Sequence, residues 1–372
     1  MKFTCERQSL INAIFTASRA ASPKSPVPLL EGLLIETKKN KIVISGYDLK
    51  TGIVTTVDSE IEEDGSIVIN ARLLGDIIRK MPGTDITFSV DNSSEAKIVS
   101  EASEFQIMGS PSADYPELPI VEEQDSIIIE EATLKKMISQ TNFAVSDNES
   151  RPIHMGALFE VENGILTIVA VDGFRLALRR EPIEAIQKEL FSFVVPGTAL
   201  NEVERIVSDR EDKVIITLGA KHIMFTIDGT ILVSRRLEGE FLNYRNSIPQ
   251  AGKYQLKIQK HEFIEAVERV ALIINEKMRS PVRCVFEESI VKLYTATSLG
   301  KASDECSVEG EVDELEIGFN DRYLLEALKA APADEVVLNL NTGVTPCVIH
   351  PTDDRDDFLY MILPVRLKAY ED

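Results

Sequence analysis

The chain repeats one pattern three times, and this repeat constrains the fold more than any other feature of the sequence. Short apolar segments begin at Phe3, Ile127 and Leu256, and each leads into apolar residues at the i, i+3, i+4 spacing of an amphipathic helix. The segment Gly32–Asp48 also aligns without a gap on Gly156–Asp172. Similar blocks of roughly 120 residues predict a chain of repeated domains.

The second half of each block repeats as well. Strands are predicted at 66–70, 193–196 and 316–320, each leading into a helix, with Asn70 and Asn320 as expected N-caps. Six helices are therefore predicted, over 6–20, 70–80, 132–142, 197–208, 260–273 and 320–330. The second helix of each block is followed by a β-rich run, at 85–90, 213–218 and 335–340.

Three Asx-Gly pairs flanked by β-branched residues predict hairpin turns, because Gly supplies the positive φ that such turns need. They are Asp64-Gly65, Asn163-Gly164 and Asp228-Gly229. Each block then reads as two βαβββ units, with antiparallel sheets on one side and two helices on the other. The predicted α+β fold has three repeated domains, residues 1–123, 124–250 and 251–372.

The net charge of −21 at first argues against a partner made of phosphate, but the charge is unevenly distributed. The predicted helices carry twelve basic and nine acidic residues, so they hold +3 while the other residues hold −24. A surface built from the helices is expected to be neutral or positive, and screening confines phosphate attraction to about 10 Å. The alternative is that amphipathic helices simply carry mixed charge on a solvated face.

Known catalytic motifs are absent from the sequence, which has no GxxxxGK[ST] phosphate loop, GxGxxG, HExxH or GxSxG. The segment Asp353–Asp357 contains four aspartates that could gather a divalent cation, so a metal-dependent nucleotidyltransferase or phosphoesterase is one alternative. An acidic scaffold that binds peptides and never DNA is another. We expect no cofactor and no metal.

Targeting signals are absent too. No apolar run approaches the ~18 residues of a membrane span, and Met1–Thr4 does not open a signal peptide. The sequence therefore predicts a cytoplasmic protein without a membrane partner.

Five segments of the chain resemble the bacterial sliding clamps, the beta subunits of DNA polymerase III. They are Met1–Thr4, Val169–Ala177, Asn275–Lys277, Ile317–Asn320 and Ile362–Arg366, and the resemblance covers essentially the whole chain. It implies a non-catalytic processivity factor with the DNA clamp fold, in which two three-domain protomers close head to tail into a ring around duplex DNA. The helices would line the hole and the sheets would form the rim.

The resemblance also implies sites. Sequence-independent contacts with DNA are expected from Lys24, Arg72, Arg79, Lys136 and Arg151. At the dimer interface Ile107 and Met108 of one protomer are expected to face Leu272 and Ile273 of the other.

A groove between the second and third domains is expected to bind short peptides of the replicative polymerase, the clamp loader and repair proteins. By resemblance its residues are His154, Val171, Gly173, Arg175, Leu176, Leu242, Met278, Asn320, Tyr323, Val344, Pro346, Met361, Ile362, Leu363, Pro364, Val365 and Arg366. These residues would form an apolar cleft for Leu and Phe anchors, with Arg175 and Asn320 expected at its rim. Alternatively, Val171, Leu176 and Ile362 are plain core.

The chain departs from the family pattern at three places. Phe174 stands where a His is common, Leu242 stands where a Pro is common, and 367–372 runs past the usual end. These departures leave the preferred peptide open.

Overall fold

The computed structural model describes residues 1–22, 25–185, 190–249, 252–275, 280–353, 355 and 357–367. The described residues contain six α-helices, Arg7–Ser18 (α1), Ala71–Lys80 (α2), Glu131–Ser139 (α3), Gly197–Ile206 (α4), Lys260–Ala271 (α5) and Asp321–Ala330 (α6). All six predicted helices are present, and their ends lie within a few residues of the predicted ones. Asn70 and Asn320 cap α2 and α6 as predicted, accepting hydrogen bonds from the backbone N of Leu73 (3.0 Å) and Tyr323 (3.1 Å).

The strands fall into three sets that follow the sequence repeat. The first set is Lys2–Glu6 (β1), Gly32–Lys38 (β2), Lys41–Tyr47 (β3), Thr51–Asp58 (β4), Glu60–Glu63 (β5), Ser66–Asn70 (β6), Asp85–Val90 (β7), Glu95–Ser100 (β8) and Ser103–Met108 (β9). The second is Asp125–Glu130 (β10), Gly156–Glu162 (β11), Ile165–Val171 (β12), Arg175–Pro182 (β13), Glu184–Ala185 (β14), Phe191–Pro196 (β15), Lys213–Leu218 (β16), His222–Ile227 (β17) and Thr230–Arg235 (β18). The third is Tyr254–Gln259 (β19), Val282–Phe286 (β20), Ile290–Thr297 (β21), Gly300–Ser307 (β22), Leu315–Phe319 (β23), Glu335–Leu340 (β24), Cys347–Pro351 (β25) and Phe358–Ile362 (β26).

The chain divides into two compact units, each with two antiparallel sheets. The first unit comprises Met1–Leu134, the short β14 and Glu202–Arg236. Its sheets have the orders β5-β1-β7-β8-β9 and β14-β10-β16-β17-β18-β4-β3-β2-β6. One core of this unit packs α1 and α2 on both sheets, with Phe3, Ile14, Ile44 and Phe88 fully or almost fully buried.

The second unit contains residues 135–183, 190–201 and 237–367. Its sheets have the orders β15-β11-β12-β13-β26-β25-β24-β19 and β22-β21-β20-β23. Two strand pairs join successive repeats: β18 pairs with β4 in the first unit, and β13 pairs with β26 in the second.

The βαβββ reading is confirmed, since β1-α1-β2-β3-β4 and β6-α2-β7-β8-β9 run in that order in the first repeat. The predicted β-rich runs coincide with β7, β16 and β24. Hairpin turns at Asn163-Gly164 and Asp228-Gly229 are confirmed, with positive φ at both residues of each pair.

The predicted hairpin at Asp64-Gly65 is wrong. Strands β5 and β6 on either side of it belong to different sheets. Thr37 fixes this connection instead, since its backbone N donates to the Gly65 carbonyl (3.0 Å) and its Oγ1 accepts from the Gly65 N (2.9 Å).

Candidate functional site

The turn between β12 and β13 carries the centre of the predicted groove. The Asp172 Oδ1 accepts hydrogen bonds from the backbone N of Phe174 (2.9 Å) and Arg175 (3.0 Å). Gly173 between them has φ +92°, and a Cβ there would meet no atom within 4 Å. Gly is therefore required at this position by backbone conformation rather than by space.

The Arg175 side chain is buried beneath this turn, not placed at the rim as the sequence suggested. It is 5% exposed, and its Nε donates to the Asp172 Oδ2 at 2.9 Å. Its Nη2 donates to the Phe143 carbonyl at 2.6 Å, and its Nη1 donates to Glu326 on α6. Each nitrogen of the guanidinium thus has a partner within the chain.

Four aromatic rings and this guanidinium form a continuous series of contacts, which we call the aromatic column. The Tyr360 ring meets the Phe143 ring edge-on at 5.7 Å, and the Arg175 Cζ lies 5.3 Å from the Phe143 ring centre. The same Cζ lies 4.4 Å from the Tyr323 ring centre, and Tyr323 stacks on Phe174 at 6.2 Å. The column begins at fully buried Tyr360 and ends at Phe174, which is 59% exposed.

The apolar floor of the predicted groove lies beside the column. Val171, Leu176 and Met361 are buried in one cluster, which Phe241 covers in part. His154 packs edge-on against Phe241 at 5.5 Å, and burial lowers its pKa. A neutral imidazole at this edge suits an apolar ligand better than a cation would.

The remaining predicted groove residues differ in exposure. Leu242 and Val344 are 43% and 75% exposed, and Arg366 is exposed too. Pro346, Leu363, Pro364 and Val365 are half-buried, Ile362 is fully buried as plain core, and Met278 lies outside the described residues. Hydrogen bonds hold the segment after β26, since the Leu363 N donates to the Phe174 carbonyl and the Val365 N to the Gly318 carbonyl, both at 2.8 Å.

Two of the predicted DNA contacts share one face of α2. Arg72 and Arg79 are seven residues apart, two helical turns, and both lie near Asp76. The Arg79 Nη2 is 2.6 Å from the Asp76 carboxylate, whereas the Arg72 Nε is 4.0 Å away and its side chain is 93% exposed. Arg72 is thus the freer of the two for an external phosphate.

The other predicted DNA contacts are described only in part. Lys136 is exposed on α3, and Arg151 is exposed just before a short 3-10 helix, Pro152–Met155. Both lie in the second unit. Lys24 lies outside the described residues.

The predicted interface residues lie at or beside two sheet edges. Strands β9 and β22 are the outer strands of the five- and four-stranded sheets. On or beside β9, Ile107 is half-buried and Met108 is 66% exposed; just after α5, Leu272 is 83% exposed and Ile273 half-buried. Phe105 on β9, which is not among the predicted interface residues, is 40% exposed.

The aspartate-rich segment 353–357 does not provide a metal site in the part of the chain that is described. The Asp353 carboxylate accepts from the Arg355 Nε at 2.8 Å, and Asp357 pairs with Arg179 at 2.8 Å. Asp354 and Asp356 lie outside the described residues. Across the described ranges, no three His, Cys, Asp or Glu side chains gather as metal ligands.

Three family models match the chain in succession. The N-terminal domain of the DNA polymerase III beta subunit matches residues 1–119, its central domain 128–243 and its C-terminal domain 245–366. A beta sliding clamp of Staphylococcus epidermidis is 32% identical over 376 residues, covering 98% of this chain and 99% of that protein.

Solved structures of sliding clamps are also similar to this chain. The DNA polymerase sliding clamp of Bacillus subtilis has a TM-score of 0.95 and 29% identity, and the match covers 99% of this chain and 100% of that one. The DNA polymerase III beta subunit of Thermotoga maritima gives 0.91 and 27%, with the same coverage.

The chain therefore belongs to the family of DNA polymerase III beta subunits, the sliding clamps. The predicted fold class, three repeated domains of the clamp fold, is confirmed. So is the predicted function, a non-catalytic processivity factor of DNA polymerase III, and the alternative of a metal-dependent enzyme is set aside. None of the described helices is long and apolar enough to cross a membrane.

Proposed function

We propose that two copies of this chain close head to tail into a ring that encircles duplex DNA. The ring slides without reading sequence and tethers the replicative polymerase, the clamp loader and repair proteins through short peptides. The observation that carries this proposal is that strands β9 and β22 are outer strands. Among the described residues, each pairs with a neighbouring strand on one side only.

The repeat predicts that a further strand should pair with the outer side of β9. Following paired residues across each sheet from the first strand of each repeat gives three equivalent rows. They are Phe3-Phe88-Ile98-Phe105, Ile127-Ile216-Phe225-Leu232 and Leu256-Leu338-Ile349-Tyr360. Leu232 and Tyr360 are fully buried because another repeat's strand pairs beside them, opposite Ile53 and Ala177. Phe105, at the equivalent position, is 40% exposed, because no strand of the described residues pairs with β9 on its outer side.

The repeat also identifies the strand that should pair with β9. Rows that start three residues before α2, α4 and α6 cross three further strands and end at Val54, Leu178 and Ser303. The residues immediately before these ends are Ile53, Ala177 and Ala302. Ile53 and Ala177 are the residues that face the buried ends of the other rows. We therefore place Phe105 of one copy opposite Ala302 of the other, with β9 and β22 antiparallel. Heterologous pairing of this kind closes into a ring when the rotation allows it.

Exposed apolar side chains support the same interface. Met108 at the end of β9 and Leu272 just after α5 are 66% and 83% exposed. Large apolar residues at an open strand edge mark an association surface. The interface residues Ile107, Met108, Leu272 and Ile273 remain a proposal, to which we add Phe105.

Contacts with DNA are assigned to Arg72, Arg79, Lys136 and Arg151, together with Lys24. The exposure of the first four on or near helices supports this assignment. Phosphate contacts of this type give weak, salt-dependent binding without base readout, which suits a sliding ring.

The peptide groove is assigned to the predicted residues around the aromatic column and the floor of Val171, Leu176 and Met361. Apolar anchors packing beside an aromatic wall are the usual source of peptide affinity. We further propose the domain boundaries 1–123, 124–250 and 251–372, which the positions of the three family models support. A protein that acts on the replication machinery of a bacterium is placed in the cytoplasm.

The encirclement is tested on circular DNA. The protein is loaded by a clamp loader onto nicked circles, free protein is removed, and one half of the sample is linearised. The ring predicts retention on the circle and loss from the linear form. Equal retention on both would exclude topological binding and favour a scaffold that never encircles DNA.

A further inference from the structure

A buried charged group lies in the middle of the aromatic column. The Arg175 side chain is 5% exposed, and its guanidinium contacts both the Phe143 and the Tyr323 rings. A buried guanidinium requires a counter-charge and a partner for each donor. Asp172, on the adjoining turn, supplies one carboxylate, and Glu326 supplies the other from 151 residues further along the chain.

Glu326 divides its two oxygens between two arginines. Its Oε2 accepts from the Arg175 Nη1, and its Oε1 accepts from the Arg322 Nε at 2.9 Å. Burial raises the pKa of Glu326, but hydrogen bonds from Arg175 and then Arg322 outweigh burial and hold that pKa below its usual value. The carboxylate is therefore charged at neutral pH.

Helix α6 presents the ring and the carboxylate to the same guanidinium. Tyr323 and Glu326 are three residues apart, so both lie on one face of the helix. The Glu326 bond to Nη1 and the Phe143 carbonyl bond to Nη2 together fix the plane of the guanidinium under the Tyr323 ring. The outer end of the column, Tyr323 stacked on Phe174, is the wall of the proposed groove.

We propose that Glu326 is a positioning residue for the peptide groove, which acts through Arg175 to hold the Tyr323–Phe174 wall in place for an apolar peptide side chain. This inference rests on the proposed groove function. Glu326 itself contacts no peptide in this account; it sets the orientation of the residues that do.

Affinity tests the proposal first. The probe is a fluorescein-labelled ten-residue peptide with adjacent Leu and Phe, titrated by fluorescence polarisation with the full-length protein. Glu326→Gln keeps the volume and removes the charge, so we expect the dissociation constant to rise about tenfold. The matched control is Glu268→Gln on α5, which removes an exposed carboxylate that pairs with Lys329 at 2.6 Å and should leave the affinity unchanged.

A spectroscopic measurement separates positioning from general destabilisation. The chain contains no Trp, so Phe174→Trp places a single reporter at the end of the column. Glu326→Gln in this background should lower the Trp anisotropy at a temperature where circular dichroism shows an intact fold. If Glu326→Gln does not fold, Glu326→Asp, which keeps the charge but shortens the reach, should show the same two changes to a smaller degree.

The outcomes are distinguishable. If the parent protein does not bind the probe, the proposed groove is wrong. If the parent protein binds and the folded Glu326 variant shows parental affinity and anisotropy, the positioning role is overturned while the groove stands.

Discussion

The Arg175 guanidinium carbon lies 4.4 Å from the centre of the Tyr323 ring, inside the second compact unit. A cation over an aromatic face at this distance is favourable, and more so when water is excluded. This contact ties the turn after β12 to helix α6, beside the wall of the proposed groove.

Removing the cation should destabilise the second unit. Arg175→Ala leaves Asp172 and the half-buried Glu326 without their shared partner, and it removes the group that contacts both the Phe143 and the Tyr323 rings. Breaking one side of a buried ion pair costs about 3 kcal/mol. Urea unfolding followed by circular dichroism measures the loss, and Arg210→Ala, an exposed arginine in the first unit, is the control.

Truncating two apolar side chains in the proposed groove should remove peptide binding without affecting the dimer. Met361→Ala combined with Leu363→Ala takes away one buried and one half-buried apolar side chain beside the column. We expect loss of polymerase stimulation with an unchanged dimer mass in light scattering. Stimulation at the parental level would place the groove elsewhere.

The DNA assignment predicts a change in salt dependence. Arg72→Ala removes a 93% exposed side chain from α2, and each lost phosphate contact lowers the slope of log K against log[salt] by about 1. The slope is measured by titrating the protein with short duplex DNA at several salt concentrations. Lys38→Ala, which removes an exposed lysine on strand β2, should leave the slope unchanged.

Acid should weaken the column through Glu326. Its folded pKa is held below the ordinary value of 4.5, so the stability it contributes is fully present above about 4.5 and is lost as pH falls through the lower, folded value. The melting temperature of the parent protein should therefore exceed that of Glu326→Gln at pH 7, and the gap should close below pH 4.5. A gap independent of pH would show that packing, not charge, accounts for the difference.

The repeat and the six helices could be predicted from sequence because periodicity and capping are local signals that occur three times. The Asp64-Gly65 turn was mispredicted because the local signal at this position does not decide the connection. Its local chemistry suits a hairpin, but Thr37, far away in sequence, directs the chain into a second sheet.

Site features that depend on distant partners were beyond sequence reasoning. A lone arginine at 175 suggests an exposed rim residue, and only the fold brings Glu326 and Phe143 to it. Phe105 looks like an ordinary inward residue of an alternating strand, and its significance emerges only when its fully buried equivalents, Leu232 and Tyr360, are compared with it.

The pairing of β9 with β22 in a second copy is tested most directly by a disulfide cross-link. Directly opposite residues in an antiparallel pair have Cα atoms about 5 Å apart, which a disulfide can span. Phe105→Cys is combined with Ala302→Cys in a Cys306→Ser background, because the other three native thiols are buried. The control combines Gln106→Cys with Ala302→Cys, since neighbouring residues of a strand point to opposite faces.

Mild oxidation of the 105/302 variant should give a covalent dimer that runs at twice the chain mass under denaturing, non-reducing conditions, with little from the 106/302 control. Equal cross-linking of both variants, or none in a sample that light scattering shows to be dimeric, would contradict the proposed ring interface.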